Sequence, residues 1–562
     1  MAAIASSAVA PVRSEAPSLL RDFPLQDPTN GLFGLNEATI ERWCRWFILL
    51  GVAARCVRYF MRFPLWEDEC FVCYNYLDRD FLGLTQKLDF PPQVAPTLYL
   101  WSQLALVRTL GFSEWTLRLT AFLASIAAVW LFARLARQFL AGAPRLFAVG
   151  VFSVSYVGIR YSAEAKPYGL DLFIALLMIT LTVNWLQSQS RRDLLILLGA
   201  LPFMMGFSFP AAFVGGGLVL FVAALLVRRG TPKLWLGLSA FTTVLVLSFG
   251  AVYAMSIREK MATDLTGMQG FWNQTFPPID RPWLLPLWLI KTHASDLTAY
   301  PAGGPTFTSS LSFLVWIVAL VALIQRRQRA FLTFALAPLA LTFVAAALQK
   351  YPYGGHFKLN LYLAPSMCLV LGYGLALVAT FFARKYAPLR VAKTIAVGLA
   401  AVALITVARD LLSPYKSLGD HQYRAFAQWY WPEQELTAEV ACCKRDLHLD
   451  VNPETYQQLN FAAVYLCNQA IYSPRQRSRQ PLAWDRVSAE RPLVCVLYRD
   501  PWLPFDEAKL QTWLDKMSQT YHLDNRARLP HYRKDHTGRH LVSAAYLDVF
   551  RFTPQTSSVA AR

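Results

Sequence analysis

Long apolar runs recur along most of this chain, and they restrict its fold more than any other feature. Between about residues 43 and 410, runs of roughly 17–25 mostly apolar residues alternate with polar loops. An α-helix of that length crosses the hydrocarbon core of a bilayer. Because 55% of the residues are hydrophobic and only 16% are charged, the sequence predicts one large membrane domain rather than several soluble ones.

We predict about eleven transmembrane helices, with boundaries good to a few residues. The third and fifth runs are short, which favours helices that are tilted, broken or partly buried. The predicted spans are 43–62, 115–137, 145–160, 167–187, 193–209, 211–227, 234–257, 307–324, 330–348, 358–383 and 388–410.

Charge in the loops predicts the orientation of the chain. Every second loop is short and basic, as in "QSRRD" (189–193) and "QRRQR" (325–329), and such loops face the cytoplasm. With an odd number of spans, the N-terminus lies in the cytoplasm and the C-terminal part lies outside it. We expect the protein to be in the inner (cytoplasmic) membrane. The net charge of +18 clusters in these loops, so we do not expect nucleic-acid binding.

The same topology divides the chain into three parts. Residues 1–42 form a cytoplasmic tail, 43–412 the membrane domain, and 413–562 a soluble extracytoplasmic domain. The outer loop 63–114 alternates apolar and charged residues over 70–88, which predicts an amphipathic helix at the membrane interface. A Pro-rich turn and a second, aromatic-rich helix at membrane level follow it.

Strand and helix signals alternate in the C-terminal part. "RPLVCVLYRD" (491–500) predicts a buried strand, and 505–523 predicts an amphipathic helix with Asp506 as its candidate cap. A second strand pattern lies in 540–553. We therefore expect a small α/β domain.

Cysteine and histidine give no firm metal site. Cys70 and Cys73 form a lone C-x-x-C, which indicates two packing cysteines or a local disulfide. The histidines at 531, 536 and 540 match no metal-binding template. Four further cysteines allow one or two disulfides if the outer side is oxidising, and their pairing stays open: Cys442, Cys443, Cys467 and Cys495.

Three polar segments fall on the predicted outer face. They are the acids Glu67, Asp68 and Glu69 after the first span, "RYSAEAKPYGLD" (160–171), and "KYPYGGHFKLNLY" (350–362). Acids and cations that meet at one membrane surface suit a substrate that is both lipidic and anionic, such as a polyprenyl phosphate. Its phosphate needs cations, and a hydroxyl nucleophile that attacks a sugar needs a general base.

The order of these motifs resembles the GT-C glycosyltransferases, in particular the dolichyl-phosphate-mannose protein mannosyltransferase-like, ArnT-like branch. The motifs are W-x-D-E after the first span, P-T-L-Y-L and L-R-L before the second, then R-Y-S-x-E-A-K-P-Y and Y-P-x-G-G. The resemblance covers about residues 43–410. It implies inverting transfer of a sugar from a polyprenyl-phosphate donor to an acceptor outside the cytoplasm.

The resemblance assigns the base to Asp68, which matches the acidic position in the family's first outer loop. Glu69 then supports Asp68 or orients the acceptor. The alternative is that these acids only cap the interfacial helix, because acids are favoured at helix N-termini.

Substrate contacts are expected from the other two motifs. In the second, Glu164 is the partner acid, Arg160 and Lys166 contact the phosphate, and Tyr168 shapes the turn beside them. The alternative for the two cations is snorkelling to the interface.

In the third motif, His356 and Lys358 stand where relatives often carry an arginine, and a lysine lacks its bidentate geometry. The alternative is a flexible connection with an interfacial cation. For Arg118 we favour an ion pair with the acidic loop over substrate contact. Asp171, inside the fourth span, is a functional acid or half of an interhelical salt bridge.

The expected partners are a polyprenyl-phosphate-linked sugar, the lipid bilayer and an unidentified acceptor, either a protein, a glycolipid or a polysaccharide. A divalent cation between two carboxylates is chemically reasonable, but we do not predict one. Rival functions are a transporter or flippase, a ligase or polymerase of surface polysaccharide, and a non-catalytic relative.

Overall fold

The structure is a computed structural model of the chain. It describes residues 19–20, 23–88, 93–258, 272–416, 420–421, 423–425, 427–428, 439–442, 456–473, 492–499, 507–534 and 540–555.

Helices dominate the described residues before position 416. They run in chain order as follows: α1 (Glu37–Phe60), α2 (Glu67–Cys73), α3 (Asn75–Asp78), α4 (Thr97–Leu110), α5 (Glu114–Phe139), α6 (Gly142–Ser153), α7 (Tyr156–Arg160), α8 (Tyr168–Ser188), α9 (Arg191–Phe207), α10 (Ala211–Arg229), α11 (Pro232–Val252), α12 (Leu285–Thr292), α13 (Ser310–Gln325), α14 (Arg329–Ala347), α15 (Ala364–Phe382) and α16 (Pro388–Leu412).

Each predicted span coincides with a helix or a pair of helices, and the chain is a multi-pass membrane protein. Among the described residues, seven helical stretches are long and apolar enough to cross a bilayer. Two shorter apolar stretches are Ala211–Val227 of α10 and Ser310–Gln325, which is α13. The count of eleven spans therefore remains a prediction.

Local sequence explains where these helices begin and break. Ser113 caps α5, since its Oγ accepts a hydrogen bond from the Thr116 N–H at 3.2 Å. The third predicted span is indeed broken. It ends as α6 at Ser153 and restarts as α7, where the Ser155 Oγ accepts from the Gly158 N–H at 3.2 Å.

The outer loop differs from the single amphipathic helix predicted over 70–88. The helix α2 ends at Cys73, α3 stops at Asp78, and only a short 3-10 turn, Gly83–Thr85, follows. Asp80 favours this break because its Oδ1 accepts from the Gly83 N–H at 2.7 Å, a local bond that competes with helix continuation. The predicted second helix is present as α4.

A buried arginine fastens α1 to its neighbours. Arg55 is fully buried, and its guanidinium donates to the Ser125 Oγ at 2.8 Å and to the Ser153 carbonyl oxygen at 2.7 Å. That carbonyl lies at the C-terminus of α6, where a cation is favoured by the helix dipole. Gly51 permits this approach, since a Cβ there would lie 2.4 Å from the Ser153 oxygen.

The C-terminal part contains a four-stranded sheet with two helices, α17 (Tyr456–Tyr472) and α18 (Glu507–Met517). Both the sheet and these two helices are those of the described residues, and the strand order is β1-β2-β4-β3, with β1 and β2 parallel and the other pairs antiparallel. The strands are β1 (Glu439–Cys442), β2 (Leu493–Arg499), β3 (Tyr521–Lys534) and β4 (His540–Pro554).

The helix predicted over 505–523 is shorter than expected. It ends at Met517, and β3 begins at Tyr521. The candidate cap Asp506 and His536 lie outside the described residues.

The helix α17 packs against α2. The Cys467 thiol contacts the Cys70 carbonyl oxygen at 3.7 Å. Cys70, Cys73 and Cys467 are buried free thiols, while the side chains of Cys442, Cys443 and Cys495 lie outside the described residues.

Candidate active site

The three polar segments of the sequence meet at Asp68. This residue lies in the first turn of α2, where the helix dipole favours an acid. Its Oδ1 accepts a hydrogen bond from the Lys166 Nζ at 3.0 Å, and its Oδ2 accepts from the Lys358 Nζ at 2.7 Å. Residues about 100 and about 290 positions away are thus brought to one carboxylate.

Gln93 completes the contacts of Asp68. Its side-chain Nε2 donates to the Asp68 Oδ1 at 3.3 Å, and its Oε1 accepts from the Lys166 Nζ at 2.5 Å. The amide therefore bridges the acid and the lysine. Gln93 lies in the Pro-rich sequence that precedes α4.

A second ion pair lies beside the first. The Lys416 Nζ donates to the Glu164 Oε1 at 3.0 Å. The same ammonium lies 2.9 Å from the centroid of the Trp66 ring, a cation–π contact. Lys358 also faces that ring, at 5.0 Å, and the ring of Tyr168, at 5.4 Å.

These side chains form a buried charge cluster, which we define as Asp68, Glu164, Lys166, Lys358 and Lys416. Side-chain exposure is 19% for Asp68, 4% for Lys166 and 10% for Lys358. Three lysines against two carboxylates leave the cluster with one excess positive charge when all five are ionised. A buried charge without a counter-ion is costly, so the cluster is suited to an anion.

The lysines control the protonation of both carboxylates. Burial would raise the pKa of Asp68, but Lys166 and Lys358 outweigh burial and hold that pKa well below its usual range. Burial likewise raises the pKa of Glu164, and Lys416 and Lys358 lower it by more. Burial also lowers the pKa of Lys416 to about 7, against the attraction of Glu164.

Glu69 and Arg118 form the frame beneath the cluster. The Arg118 Nε donates to the Glu69 Oε1 at 2.8 Å, and its Nη2 donates to Oε2 at 2.5 Å. Glu69 also accepts from the Ala165 N–H at 2.6 Å and from the Trp66 N–H at 3.2 Å. One carboxylate therefore joins α2 to α5 and to the turn that carries Glu164 and Lys166.

Two glycines shape the turn before Lys358. Gly354 and Gly355 have φ of +73° and +72°, the left-handed region that favours glycine. A Cβ at Gly354 would lie 2.2 Å from the Thr292 Cγ2, and one at Gly355 would lie 2.2 Å from the Thr275 Cγ2. The turn therefore needs glycine at both positions to place the 3-10 helix Phe357–Leu363, which carries Lys358.

Some residues expected at the site have other contacts. Arg160 donates to the Tyr156 hydroxyl oxygen at 2.5 Å, which also accepts from Arg409 at 2.7 Å. His356 is exposed, with its ring 5.3 Å from that of Trp272. Neither residue has a contact with Asp68 among the described residues.

The other two acids singled out from the sequence are Asp171 and Glu67. Asp171 is buried in α8, and its Oδ1 has no hydrogen-bond partner in the described part of the chain. It makes no salt bridge there either. Glu67, at the start of α2, is partly exposed.

Sequence reasoning missed Lys416 and Gln93. Lys416 lies just past the last predicted span, in "SPYKS", where nothing distinguishes it from an interfacial cation. Gln93 is an uncharged residue within a Pro-rich turn. Their roles arise from tertiary contacts that neither local pattern encodes.

The described residues contain no group of three or more His, Cys, Asp or Glu side chains placed to hold a metal ion. Asp68 and Glu164, the acids considered for a cation, are each paired with lysine.

Among known proteins, solved structures with a similar course of the chain share little sequence with it. ArnT from Cupriavidus metallidurans in the apo state matches at 11% identity and a TM-score of 0.47, covering 91% of this chain and 98% of that chain. The same protein bound to undecaprenyl phosphate matches at 11% identity, with the same coverage and a TM-score of 0.49. The Archaeoglobus fulgidus oligosaccharyltransferase tethered with an acceptor peptide matches at 12% identity and a TM-score of 0.40, covering 78% of this chain and 60% of that chain.

Sequence comparison gives a more specific result. No curated protein matches the chain. The family model described as dolichyl-phosphate-mannose-protein mannosyltransferase matches residues 94–252, the segment that contains Arg118, Glu164 and Lys166. Together with the ordered motifs, this match supports the similarity of the chain to the GT-C glycosyltransferases of the branch that includes ArnT and the protein mannosyltransferases.

Proposed function

We propose that the protein is an inverting glycosyltransferase that moves a sugar from a polyprenyl-phosphate donor to an acceptor at the outer face of the membrane. In this proposal the donor's phosphate binds the lysines of the buried charge cluster. Asp68 is the general base. The protein lies in the inner membrane, with the N-terminus of the chain in the cytoplasm.

One observation carries the proposal. The buried charge cluster holds two carboxylates and three lysines joined by ion pairs, with one positive charge in excess when all five are ionised. Cations for a phosphate and a carboxylate for a hydroxyl proton are the two requirements of this chemistry. The motifs that resemble the GT-C glycosyltransferases contribute Asp68, Glu164 and Lys166, and Lys358 follows the third motif at a position where relatives often carry an arginine.

The reaction needs one proton acceptor and no covalent intermediate. Asp68 takes the proton from the acceptor hydroxyl while the acceptor oxygen forms a bond to the anomeric carbon. The bond between that carbon and the phosphate oxygen breaks, and polyprenyl phosphate leaves with the electron pair. Lysines around the phosphate stabilise the charge that develops on it.

Glu69 is the positioning residue in this scheme. Both of its oxygens already accept hydrogen bonds, from Arg118, Ala165 and Trp66. These contacts favour support of Asp68 over direct orientation of the acceptor.

The position of the cluster argues against a transporter. Substrate sites of secondary transporters lie near the membrane midplane, often at broken helices. Asp68, Lys166 and Lys416 instead lie in or beside segments that link the apolar helices, and Lys358 begins one of the candidate spans.

A transfer assay with a panel of donors tests the proposal. Purified protein is given labelled polyprenyl-phosphate hexoses and pentoses with a membrane extract as acceptor, and the label is followed into protein, glycolipid and polysaccharide. We expect one donor to support transfer and the fraction that gains label to identify the acceptor class.

Two variants make the assay specific. Asp68→Asn keeps the shape of the side chain and removes the base, so transfer is expected to fall by about 10²–10⁴-fold. Glu67→Gln is the matched control, because it removes the adjacent acid of the same helix turn. Transfer that survives in Asp68→Asn would move the base to another residue, and an absence of transfer from every donor would refute the proposed activity.

A further inference from the structure

The two lysines on Asp68 are also the residues best placed to hold a phosphate. Each binds a different oxygen of the carboxylate, Lys166 at 3.0 Å and Lys358 at 2.7 Å. A carboxylate in which both oxygens accept from ammonium groups is a weak proton acceptor, because protonation would break these bonds. A base of this kind becomes effective only when the lysines have another anion to bind.

We propose that Asp68 and the donor's phosphate compete for Lys166 and Lys358, so that a bound polyprenyl phosphate draws both lysines away and releases Asp68 as the base. The proposal rests on the proposed function, since it takes the lysines as phosphate ligands and Asp68 as the proton acceptor. Its consequence is an order of events: the donor binds first, and only then is the acceptor hydroxyl activated.

The charges of the cluster favour this exchange. Three lysines and two carboxylates leave one excess positive charge. A sugar–phosphate–lipid diester carries one negative charge, so the cluster with donor bound is neutral when all five of its groups are ionised. The phosphate therefore adds the missing counter-charge and does not have to displace Asp68 from the pocket.

The side-chain chemistry of lysine permits the movement. A lysine ammonium is a point charge with three donors on a flexible stem, whereas a guanidinium is a planar fork with fixed directions. The Lys358 ammonium donates one hydrogen bond to Asp68, and its other neighbours include the Trp66 and Tyr168 rings at 5.0 and 5.4 Å. It can rotate towards a phosphate without losing another ion pair among the described residues.

Other groups around Asp68 set the electrostatic background. Gln93 bridges Asp68 and Lys166 through its side-chain amide. Burial and the two lysines together determine the pKa of Asp68, which lies well below its usual range. The charged or titratable groups that face Asp68 from the surrounding elements are Glu164, Lys166, Tyr168, His356, Lys358 and Lys416.

Direct binding of a polyprenyl phosphate without sugar tests the competition. Purified full-length protein is titrated calorimetrically in detergent, comparing wild type, Asp68→Asn and Glu67→Gln. Removal of the competitor should tighten binding to Asp68→Asn by about tenfold or more. Glu67→Gln, which removes an equal charge one position earlier in the same helix turn, should tighten it by less than about threefold.

Two results of this titration would overturn the proposal. Equal or weaker binding to Asp68→Asn would mean that Asp68 holds the lysines in place for the phosphate. A similar gain in both variants would mean that only general negative charge is being removed. Because the titration needs no sugar transfer, its outcome is separate from success or failure of the transfer assay.

The pH profile of turnover gives a second, independent readout. In Lys358→Gln the donor should bind about tenfold more weakly. The acid limb of kcat at saturating donor should keep its wild-type position, because in the donor complex Lys358 binds the phosphate and not Asp68. Lys358→Arg should restore part of the donor affinity. If the acid limb in Lys358→Gln shifted upward by about one pH unit or more, Lys358 would still be paired with Asp68 in the donor complex. That result would overturn the proposed competition.

Discussion

Loss of Arg118 tests whether its buried ion pair with Glu69 holds α2, the helix that carries Asp68, in place. Its guanidinium makes two hydrogen bonds with the Glu69 carboxylate and further bonds with the Phe63 and Pro64 carbonyl oxygens. Side-chain exposure is 4% for Arg118 and 1% for Glu69. Arg118→Leu would leave a buried carboxylate without its cation, a change that costs about 3–5 kcal/mol of folding free energy.

An exposed pair in the same chain supplies the control. Arg45 and Glu41 lie 3.4 Å apart on α1, and the Arg45 side chain is 73% exposed. Because exposed pairs contribute below about 1 kcal/mol, Arg45→Leu should have little effect. Arg118→Lys should fall between the two, since lysine keeps the charge but not the bidentate geometry.

The assay is equilibrium unfolding in mixed detergent micelles, followed by tryptophan fluorescence and circular dichroism. We expect Arg118→Leu to lower the unfolding free energy by several times the change in Arg45→Leu. We also expect it to lower transfer, because α2 carries Asp68 as well as Glu69. If Arg118→Leu were no less stable than Arg45→Leu, the argument that this pair holds the site together would be wrong.

Three further results follow from particular residues. Burial lowers the pKa of Lys416 to about 7, so its ammonium is present below that pH and lost above it. Affinity for a phosphodiester analogue of the donor, titrated calorimetrically, should therefore fall as pH rises through about 7, and Lys416→Arg should abolish that fall. Gly354→Ala should cost at least about 1–2 kcal/mol in the same unfolding assay and weaken donor binding, since it combines a positive φ with a Cβ that meets Thr292. In thiol labelling of the folded protein, the half-buried Cys56 should react well before the buried Cys70, and equal rates would contradict the burial described here.

The membrane helices were predictable from sequence because each is a continuous apolar run whose ends are set by local signals. Ser113 caps α5, and Thr231 with Pro232 starts α11. The outer loop was harder, because 70–88 has helical spacing but a competing Asp80 bond ends the helix. Local alternation alone does not reveal such competition.

The site was predictable in part because three of its residues lie in motifs that the sequence already singled out. Asp68, Lys166 and Lys358 lie in motifs that the topology places on one face, and the structure brings these three side chains into contact. Arg160 has the charge expected of a phosphate ligand but lies against Tyr156. Lys416 contacts Glu164 across 252 positions of sequence, and only the folded chain reveals that pairing.

Single-turnover transfer by donor-loaded protein, with the anomeric configuration of the product read by NMR, is the most direct test of Asp68 as the base of an inverting transfer. We expect wild type to give a product of inverted configuration in one step. We also expect Asp68→Asn to bind the donor and to form no product on that timescale. A product of retained configuration, or transfer at the wild-type rate by Asp68→Asn, would contradict a single carboxylate base at this site.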